Sequence, residues 1–463
     1  MRFLATLLAA SVLAAPAVAA DPAAGAALLR DRALAGSPAY AIVESLTTEV
    51  GQRLAGTPAE ARARDWGVAK LKALGFQNVH VQTFDVPRWE RGVETAEVLG
   101  ASSQRLILTA LGYSGATPPA GVTGEVVRFA DVDALRAAPD GSLKGKIVFI
   151  DHAMARAQDG SSYGAFGGIR RSGPAVAAAK GAAVYLMRSL GTGNVRTPHT
   201  GTTTWGDVTP IAAAALTVPD AMQLARLLDR GAVQLHITLT PRLTGTGKSG
   251  NVIGEITGAT KPTEVIAVGG HLDSWDLGTG AIDDASGIAI TVGAAKLILD
   301  AIKAGDLPRP ARTIRVVMFG NEESQGPLGG QTYLKGHASD THVLTGESDF
   351  GADRIWQFRT STGPASKPFV AALAKVLAPL GIAQSGLPAH GGTDVEALVQ
   401  AGTPVIDLAQ DGTRYFDLHH TPEDTLDKID RVQLDQNVAA WAAMLWLAAD
   451  ASTVLASAAV VAP

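Results

Sequence analysis

The sequence contains no cysteine. Disulfides are therefore excluded, and any metal ion has to be bound by nitrogen and oxygen ligands. Strongly basic stretches are also absent, and 39 basic against 44 acidic residues leave a formal net charge of −5. Because nucleic acids are bound by clustered lysine and arginine, this balance argues against a nucleic acid as partner.

Long apolar runs are confined to the amino terminus. Residues 1–20 combine Arg2, an uncharged apolar core and small residues at their end, which is the pattern of a secretory signal peptide cleaved after Ala19 or Ala20. An uncleaved anchor is the alternative, which the alanine content and Pro16 disfavour. No other stretch is interpreted as a membrane span. The sequence thus predicts an exported protein, periplasmic or secreted, that does not contact the membrane after cleavage.

The length of 463 residues predicts more than one domain. Residues 116–245 contain short predicted strands, many glycine, threonine and serine residues and few paired acids, and we interpret them as an inserted β-rich domain that shapes access to a site. Residues 21–115 and 246–463 are predicted to form the two parts of a catalytic domain.

The periodicity of the catalytic parts predicts an α/β fold. Residues 58–74 predict a helix that begins at a proline and is stopped by Gly75. From residue 249 onward, apolar strands alternate with helices. Such alternation predicts a mostly parallel mixed sheet sandwiched between layers of helices.

The stretch HLDSWDLGTGAIDDASG, residues 271–287, is the strongest candidate for a functional site. It follows an apolar run at 265–268 that predicts a buried strand, and it precedes an amphipathic helix at 284–303. Loops just beyond the carboxyl end of a strand are where open α/β sheets form binding sites. One histidine and four aspartates in such a loop indicate a metal site.

Three further groups of polar residues follow predicted strands. They are Asn321-Glu322-Glu323, Glu347-Ser348-Asp349 and the stretch HHTPEDT at 419–425. Some of these residues have purely structural alternatives: Glu322-Glu323 as a solvated acidic pair, Asp284 or Ser286 of the 271–287 stretch as a helix cap, and residues 421–424 as a turn. Because parallel strands end at one edge of a sheet, the groups are predicted to converge, and together they favour a metal site.

The residue types in these groups suit zinc. Imidazole nitrogens and carboxylate oxygens are its ligands in open catalytic sites. Two histidines and three carboxylates exceed the needs of one ion and suit two metals bridged by a carboxylate. Glu322, beside Glu323, can be the base that takes a proton from water. Asp273 can accept the second ring N–H of His271.

The motifs HLDSWD, NEE at 321–323, ESD at 347–349, GTD at 392–394 and HHTPEDT resemble those of the co-catalytic zinc exopeptidases of peptidase family M28. Within that family the likeness is greatest to the plasma glutamate carboxypeptidase (carboxypeptidase Q) group. The resemblance implies a zinc-exopeptidase fold, an insert of the protease-associated type and two Zn²⁺ per chain. A homodimer is an expectation at the level of the family.

The resemblance also assigns site residues. One metal would be bound by His271, Asp283 and Asp349, and the other by Asp283, Glu323 and His420. Asp283 would bridge the two metals, Glu322 would be the general base and acid, and the peptide between Asp283 and Asp284 would be cis. Tyr415 and His390 are alternatives for stabilising the oxyanion, and His152 and His199 are interpreted as ordinary loop histidines.

The sequence therefore predicts an exported di-zinc exopeptidase that hydrolyses dipeptides or short peptides. Arg170 or Arg171 of the insert are candidates for binding a substrate carboxylate. One alternative is an amide hydrolase acting on acylated amino acids. The other is a catalytically inactive binding protein of the same fold, which the presence of all five ligands and the base disfavours.

Overall fold

The computed structural model describes residues 21–457, and the predicted signal peptide lies outside the described residues. The strands, in chain order, are β1 Gln77–Glu90, β2 Glu94–Val98, β3 Gln104–Leu106, β4 Leu108–Ala110, β5 Val122–Phe129, β6 Ile147–Ile150, β7 Val184–Arg188, β8 Ala212–Leu216, β9 Gln234–Leu239, β10 Arg242–Ile256, β11 Lys261–His271, β12 Arg312–Phe319, β13 Thr341–Glu347, β14 Ile355–Ser361, β15 Ala383–Gln384 and β16 Val405–Gln410.

The α-helices are α1 Pro22–Ala35, α2 Ala39–Glu49, α3 Pro58–Leu74, α4 Val132–Arg136, α5 Ser161–Phe166, α6 Gly168–Arg171, α7 Gly173–Ala179, α8 Val218–Leu228, α9 Ser286–Ala304, α10 Gly329–Gly336, α11 Lys367–Leu377, α12 Glu396–Gln400, α13 Tyr415–Leu418 and α14 Arg431–Ala449. Short 3₁₀ turns lie at Pro364–Ser366, Ala378–Leu380 and Leu426–Lys428, and a wide turn at Ala281–Ala285 precedes α9.

The first sheet has the strand order β1-β10-β12-β11-β13-β16-β14-β15. Its centre, β12-β11-β13-β16, is parallel, whereas β1, β10 and β14 join antiparallel neighbours. We call residues 21–90 and 242–457, which contribute these strands and their helices, the first-sheet region. The prediction of an α/β fold with a mostly parallel mixed sheet is confirmed.

Helices cover both faces of this sheet. On β11, Ile266 and Val268 point into a core shared with helices such as α9 and α14, while Val265 and Ala267 point into a smaller core on the other face with residues of α10 and α12. Because successive strand residues alternate between faces, a strand covered on both sides is apolar throughout. This explains the unbroken apolar run at 265–268.

Helix α9 and the turn before it are long and apolar enough to cross a membrane by length and composition. The expectation that no stretch beyond residues 1–20 has this character is therefore wrong. The helix is mostly buried, since residues such as Ile288, Ile290 and Ile298 pack in the protein core. Its apolar surface serves the packing of the first-sheet region.

The second sheet has the order β3-β2-β9-β5-β6-β7-β8-β4 and is formed by residues 94–239, which we call the second-sheet region. Strands β5 to β8 are parallel, and its apolar side chains form cores of their own. The sheet begins at Glu94, because β2 pairs with β9. That the inserted domain is of the protease-associated type, and that its boundaries lie at residues 116 and 245, remain predictions.

Candidate metal centre

The four predicted groups lie at one edge of the first sheet. His271 is the last residue of β11, and Glu322 and Glu323 follow β12 after a short loop. Asp349 follows β13, and His420 follows the short helix α13 beyond β16. Since β11, β12, β13 and β16 are neighbouring parallel strands, their carboxyl ends meet and bring these residues together.

Asp283 lies between the two predicted histidine ligands. Its Oδ1 is 2.9 Å from His271 Nε2, and its Oδ2 is 3.2 Å from His420 Nε2. His271 Nε2 is also 3.6 Å from Asp349 Oδ1, and His420 Nε2 is 2.8 Å from Glu323 Oε1. One carboxylate oxygen for each imidazole is the arrangement expected of a carboxylate that bridges two metals.

Three carboxylate oxygens at this site are suited to a cation. Asp283 Oδ2, Glu323 Oε1 and Asp349 Oδ1 are buried and lack a well-formed hydrogen bond. Buried acceptors without a partner are costly, and an ion would satisfy them. One ligand atom each from Asp283, Glu323 and His420 lies within 4.8 Å of the others. The donor set therefore fits zinc.

Asp284 is also near His271 and Asp349, but its oxygens are already occupied. One accepts the backbone N–H of His271 at 3.0 Å, and the other accepts that of Gly287 at 3.0 Å in the first turn of α9. Asp284 thus ties β11 to the helix. The peptide between Asp283 and Asp284 is cis, as the resemblance implies.

Asp273 contacts a different atom from the one predicted. His271 Nδ1 is 2.9 Å from the backbone carbonyl of Asp273 but 3.7 Å from its carboxylate, which is too far for a hydrogen bond. The carboxylate instead accepts the backbone N–H groups of Glu322 at 3.0 Å and Glu323 at 3.3 Å. Asp273 therefore connects the His271 loop to the loop that carries the two glutamates.

Two further residues fix the loop that contains Asp283. The Asp424 carboxylate accepts the N–H groups of Ile282 at 2.6 Å and Asp283 at 3.2 Å. The fully buried Arg53 donates to the carbonyls of Leu272, Thr279 and Gly280. Asp424 belongs to the HHTPEDT motif, which the sequence predicted to lie at the site. Nothing in the local sequence marks Arg53.

The pKa values of the acidic side chains reflect their burial and their closeness to one another. Burial raises the pKa of Asp283, but the adjacent imidazoles of His271 and His420 outweigh it and hold that pKa well below its usual range. Burial, and then the charge of Glu323, raises the pKa of the Glu322 carboxyl well above its usual range. Desolvation, and then the charge of Asp349, raises the pKa of Glu347 to about 8. Cations at this edge would relieve the repulsion between these acids.

A cavity of about 250 Å³ opens onto this site. It is lined by Tyr163, Arg170, Arg171, Asp283, Glu322, Glu323, Asp349, Phe350, Thr393, Tyr415, Phe416, His419 and His420. Of the two oxyanion candidates, Tyr415 therefore lines the cavity. His390 is exposed, and its backbone N–H donates to Asp407.

The second-sheet region contributes Arg170 and Arg171, the two candidates for binding a substrate carboxylate, and His199, which the sequence did not place in the site. His199 is fully buried rather than an ordinary loop residue, and its ring stacks on that of His420 with the centroids 5.1 Å apart. Arg170 is also buried, with Nη1 2.9 Å from His420 Nδ1. Arg171 is exposed and reaches the cavity.

Comparison with known proteins identifies a peptidase family. Residues 251–445 match the model of Peptidase family M28. Carboxypeptidase Q from Bos taurus is 34% identical over 421 residues, which cover 90% of this chain and 86% of the relative. Carboxypeptidase Q from Homo sapiens is 32% identical with the same coverage.

Solved structures are similar over most of the chain. The crystal structure of a Peptidase M28 precursor from Shewanella amazonensis SB2B has a TM-score of 0.91 and 44% sequence identity, and the match covers 95% of this chain and 99% of that one. A zinc aminopeptidase from Bacillus subtilis has a TM-score of 0.63 and 20% identity, covering 90% and 96%. The latter likeness concerns the fold alone.

Proposed function

The chain belongs to peptidase family M28, as its motifs implied, and is a metallopeptidase; we propose that it is an exported exopeptidase that uses two zinc ions and Glu322 to hydrolyse dipeptides. The position of Asp283 between His271 and His420, with its buried Oδ2 lacking a well-formed hydrogen bond, carries this proposal. Export is supported by the signal-peptide pattern of residues 1–20. The Shewanella relative is likewise named a precursor.

The proposed ligands fall into two sets that share Asp283. His271, Asp283 and Asp349 would hold one zinc ion, and Asp283, Glu323 and His420 would hold the other. When bound, the ions supply Lewis acidity, which polarises the scissile carbonyl and lowers the pKa of the attacking water. No cysteine competes for this role, so the ligand chemistry is that of nitrogen and oxygen throughout.

Glu322 is proposed as the group that moves the proton. It lines the cavity beside the proposed ligand Glu323, and the Asp273 carboxylate holds its backbone N–H at 3.0 Å. From that position its carboxylate can take a proton from the attacking water and deliver it to the leaving amine. Asp273 then acts indirectly, because its carboxylate holds the backbone N–H groups of Glu322 and Glu323 in place.

The cavity is lined by both acidic and basic side chains, which supports a substrate with two free ends. Glu322, Glu323 and Asp349 are acidic groups suited to an amino terminus. Arg171 belongs to the second-sheet region, is exposed and lines the cavity. A guanidinium is well suited to a carboxylate. A cavity of about 250 Å³ has room for a short peptide rather than a folded chain.

The proposal is tested by hydrolysis of a dipeptide panel with purified protein, with and without a chelator and added zinc, alongside Glu322→Gln. We expect cleavage that the chelator abolishes and zinc restores, and a variant that binds zinc but is nearly inactive. Acylated amino acids belong in the panel, since their preferred cleavage would favour the alternative amide hydrolase. Two bound zinc ions without turnover of any substrate would favour a binding protein instead.

A further inference from the structure

Residues 199–203, with the sequence His-Thr-Gly-Thr-Thr, lie between the two loops that carry Glu323 and His420. We call these residues the threonine segment. They belong to the second-sheet region, whereas the loops they separate belong to the first-sheet region. The segment hydrogen-bonds to both loops. It is therefore placed to influence two of the three ligands proposed for one metal.

On one side the segment holds His420. The N–H of Thr200 donates to the backbone carbonyl of His420 at 3.0 Å, and the carbonyl of Thr200 lies 3.2 Å from His420 Nδ1. His199 Nδ1 is 3.2 Å from the carbonyl of His419. These contacts fix both the backbone of the loop and the orientation of the imidazole ring. A ring N–H that is held by a carbonyl leaves the opposite nitrogen free for a metal.

On the other side the segment holds the loop of Glu323. The Thr202 hydroxyl donates to the backbone carbonyl of Glu323 at 2.5 Å. The Gln325 side-chain amide donates to the carbonyl of Thr203 at 2.9 Å. A change in the segment would therefore displace Glu323 and His420 together.

The path of the segment depends on Gly201. Its φ of 137° is one that residues with a side chain rarely adopt. A Cβ at this position would also lie 1.7 Å from Nη1 of the buried Arg170. The carbonyl of Gly201 accepts the N–H of Gly112 at 2.9 Å, which anchors the segment in the second-sheet region.

Arg170 contacts the same ring nitrogen, His420 Nδ1, but favours the form in which this nitrogen carries no proton. Its Nη1 is 2.9 Å from His420 Nδ1, 3.3 Å from the Thr200 carbonyl and 3.4 Å from His199 Nε2. A guanidinium only donates, whereas a carbonyl only accepts, so the two groups favour opposite tautomers of His420. The tautomer favoured by Thr200 is the one that leaves Nε2 for a metal.

The other set of proposed ligands has no such support. His271 Nδ1 is satisfied by the carbonyl of Asp273 in the same loop, and Asp283 and Asp349 also follow elements of the first-sheet region. Among residues 21–457, no group of the second-sheet region hydrogen-bonds to His271 or Asp349. The two ligand sets therefore differ in whether they depend on the second sheet.

We propose that the threonine segment positions His420 and Glu323, so that the zinc bound by Asp283, Glu323 and His420 depends on the second-sheet region and the zinc bound by His271, Asp283 and Asp349 does not. This inference rests on the proposed function. It assigns Thr200, Gly201 and Thr202 as positioning residues, which act through the ligands and do not touch the substrate.

The decisive variant is Thr202→Val, which removes the hydroxyl and keeps the shape of the side chain. Thr192→Val is its matched control, because the Thr192 hydroxyl also joins the two regions, donating to Asp417 at 2.7 Å, but does not contact a proposed ligand. Zinc binding is measured by competition with a chromophoric chelator on the full-length mature protein. Removing a group that orients a ligand typically costs about 10- to 100-fold in metal affinity.

We expect Thr202→Val to weaken one zinc equivalent about tenfold and leave the other unchanged, and Gly201→Ala to weaken the same equivalent more strongly, about 100-fold. Thermal unfolding shows whether Gly201→Ala folds, and if it does not, Thr202→Val decides alone. Unchanged affinities, equal loss of both equivalents or the same loss in Thr192→Val would overturn the inference while the proposed function stands. A wild-type protein that binds no zinc would overturn the proposed function itself.

Discussion

The two proposed metal positions share Asp283 but are supported by different parts of the chain. His271 is the last residue of β11, Asp349 follows the neighbouring strand β13, and the hydrogen bonds of His271 stay within the first-sheet region. His420 lies well beyond its strand, after the short helix α13, and its ring is held by Thr200 of the second-sheet region. A ligand at a strand end is positioned by the sheet, whereas a ligand on a long loop needs a second support.

In this proposal, the second-sheet region has a role beyond limiting access. It contributes Arg171 to the wall of the cavity and the threonine segment to the support of one ligand set. If both proposals hold, the second-sheet region influences substrate binding and also the occupancy of one metal position. Variants that act on one ligand set, on both or on neither can separate these roles.

The largest effect is expected from Asp283→Ala. Because Asp283 offers one oxygen to each ligand set, we expect both zinc affinities to fall by more than about 100-fold, the upper range for changes outside the ligands themselves. His271→Ala and His420→Ala should each weaken mainly one equivalent. Metal analysis after dialysis against a chelator measures this. Retention of one tightly bound zinc in Asp283→Ala would show that this residue does not bridge.

Glu322→Gln should separate metal binding from catalysis. The amide keeps the shape of the side chain but cannot accept the proton, so we expect kcat to fall by about 10²- to 10⁴-fold. Both zinc affinities should stay within a few-fold of the wild type, since Glu322 belongs to neither ligand set. Dipeptide hydrolysis and metal analysis on the same preparation provide the two readouts. A variant with near wild-type kcat would exclude Glu322 as the base.

Local sequence signals predicted the elements that carry the site. The helix at 58–74 was indicated by its first proline and by Gly75, and the structure places α3 at Pro58–Leu74 with Gly75 at a φ of 95°. The ends of β11, β12 and β13 follow from apolar runs that stop at polar residues. Because parallel strands share an edge, convergence of the four groups could be predicted without coordinates.

Contacts between distant parts of the chain could not be predicted in this way. The His199 ring nitrogen meets the carbonyl of His419, 220 residues away, and Arg53 donates to the carbonyl of Leu272 across 219 residues. Neither residue lies in a periodic pattern or motif. Strand β2 likewise joins the second sheet only through its pairing with β9. Such features depend on tertiary packing, which one sequence does not reveal.

Arg171→Gln tests the contribution of the second-sheet region to substrate binding. Removing a charged hydrogen bond to the substrate carboxylate costs about 1.5–3 kcal/mol, so we expect kcat/KM for a dipeptide to fall about 10- to 100-fold, mainly through KM. Zinc affinity should not change. The matched substrate is the corresponding dipeptide amide, which lacks the carboxylate and should be cleaved equally by both proteins. An equal loss on both substrates would contradict this role for Arg171.

The smallest expected effect is a loss of folding stability at low pH. It limits the pH range over which zinc binding by the two ligand sets can be compared. His342 lies in the first-sheet region away from the metal centre. Its Nε2 is 2.9 Å from the Tyr333 hydroxyl, and burial lowers its pKa to about 4. An imidazole whose folded-state pKa is below its unfolded value stabilises the fold above pH 6.5, and this contribution is lost as the pH falls through 6.5 towards 4.

We therefore expect the free energy of unfolding of the zinc-free protein to decrease by about 1–2 kcal/mol over that interval because of His342, after allowance for its partial exposure. His342→Gln should be less stable than the wild type at pH 8, and the difference should shrink by pH 5. Chemical denaturation at a series of pH values measures it. A difference in the free energy of unfolding between wild type and variant that stays constant across the series would show that His342 does not titrate with unfolding. Zinc binding by the two ligand sets could then be compared below pH 6 without correcting for this loss of stability.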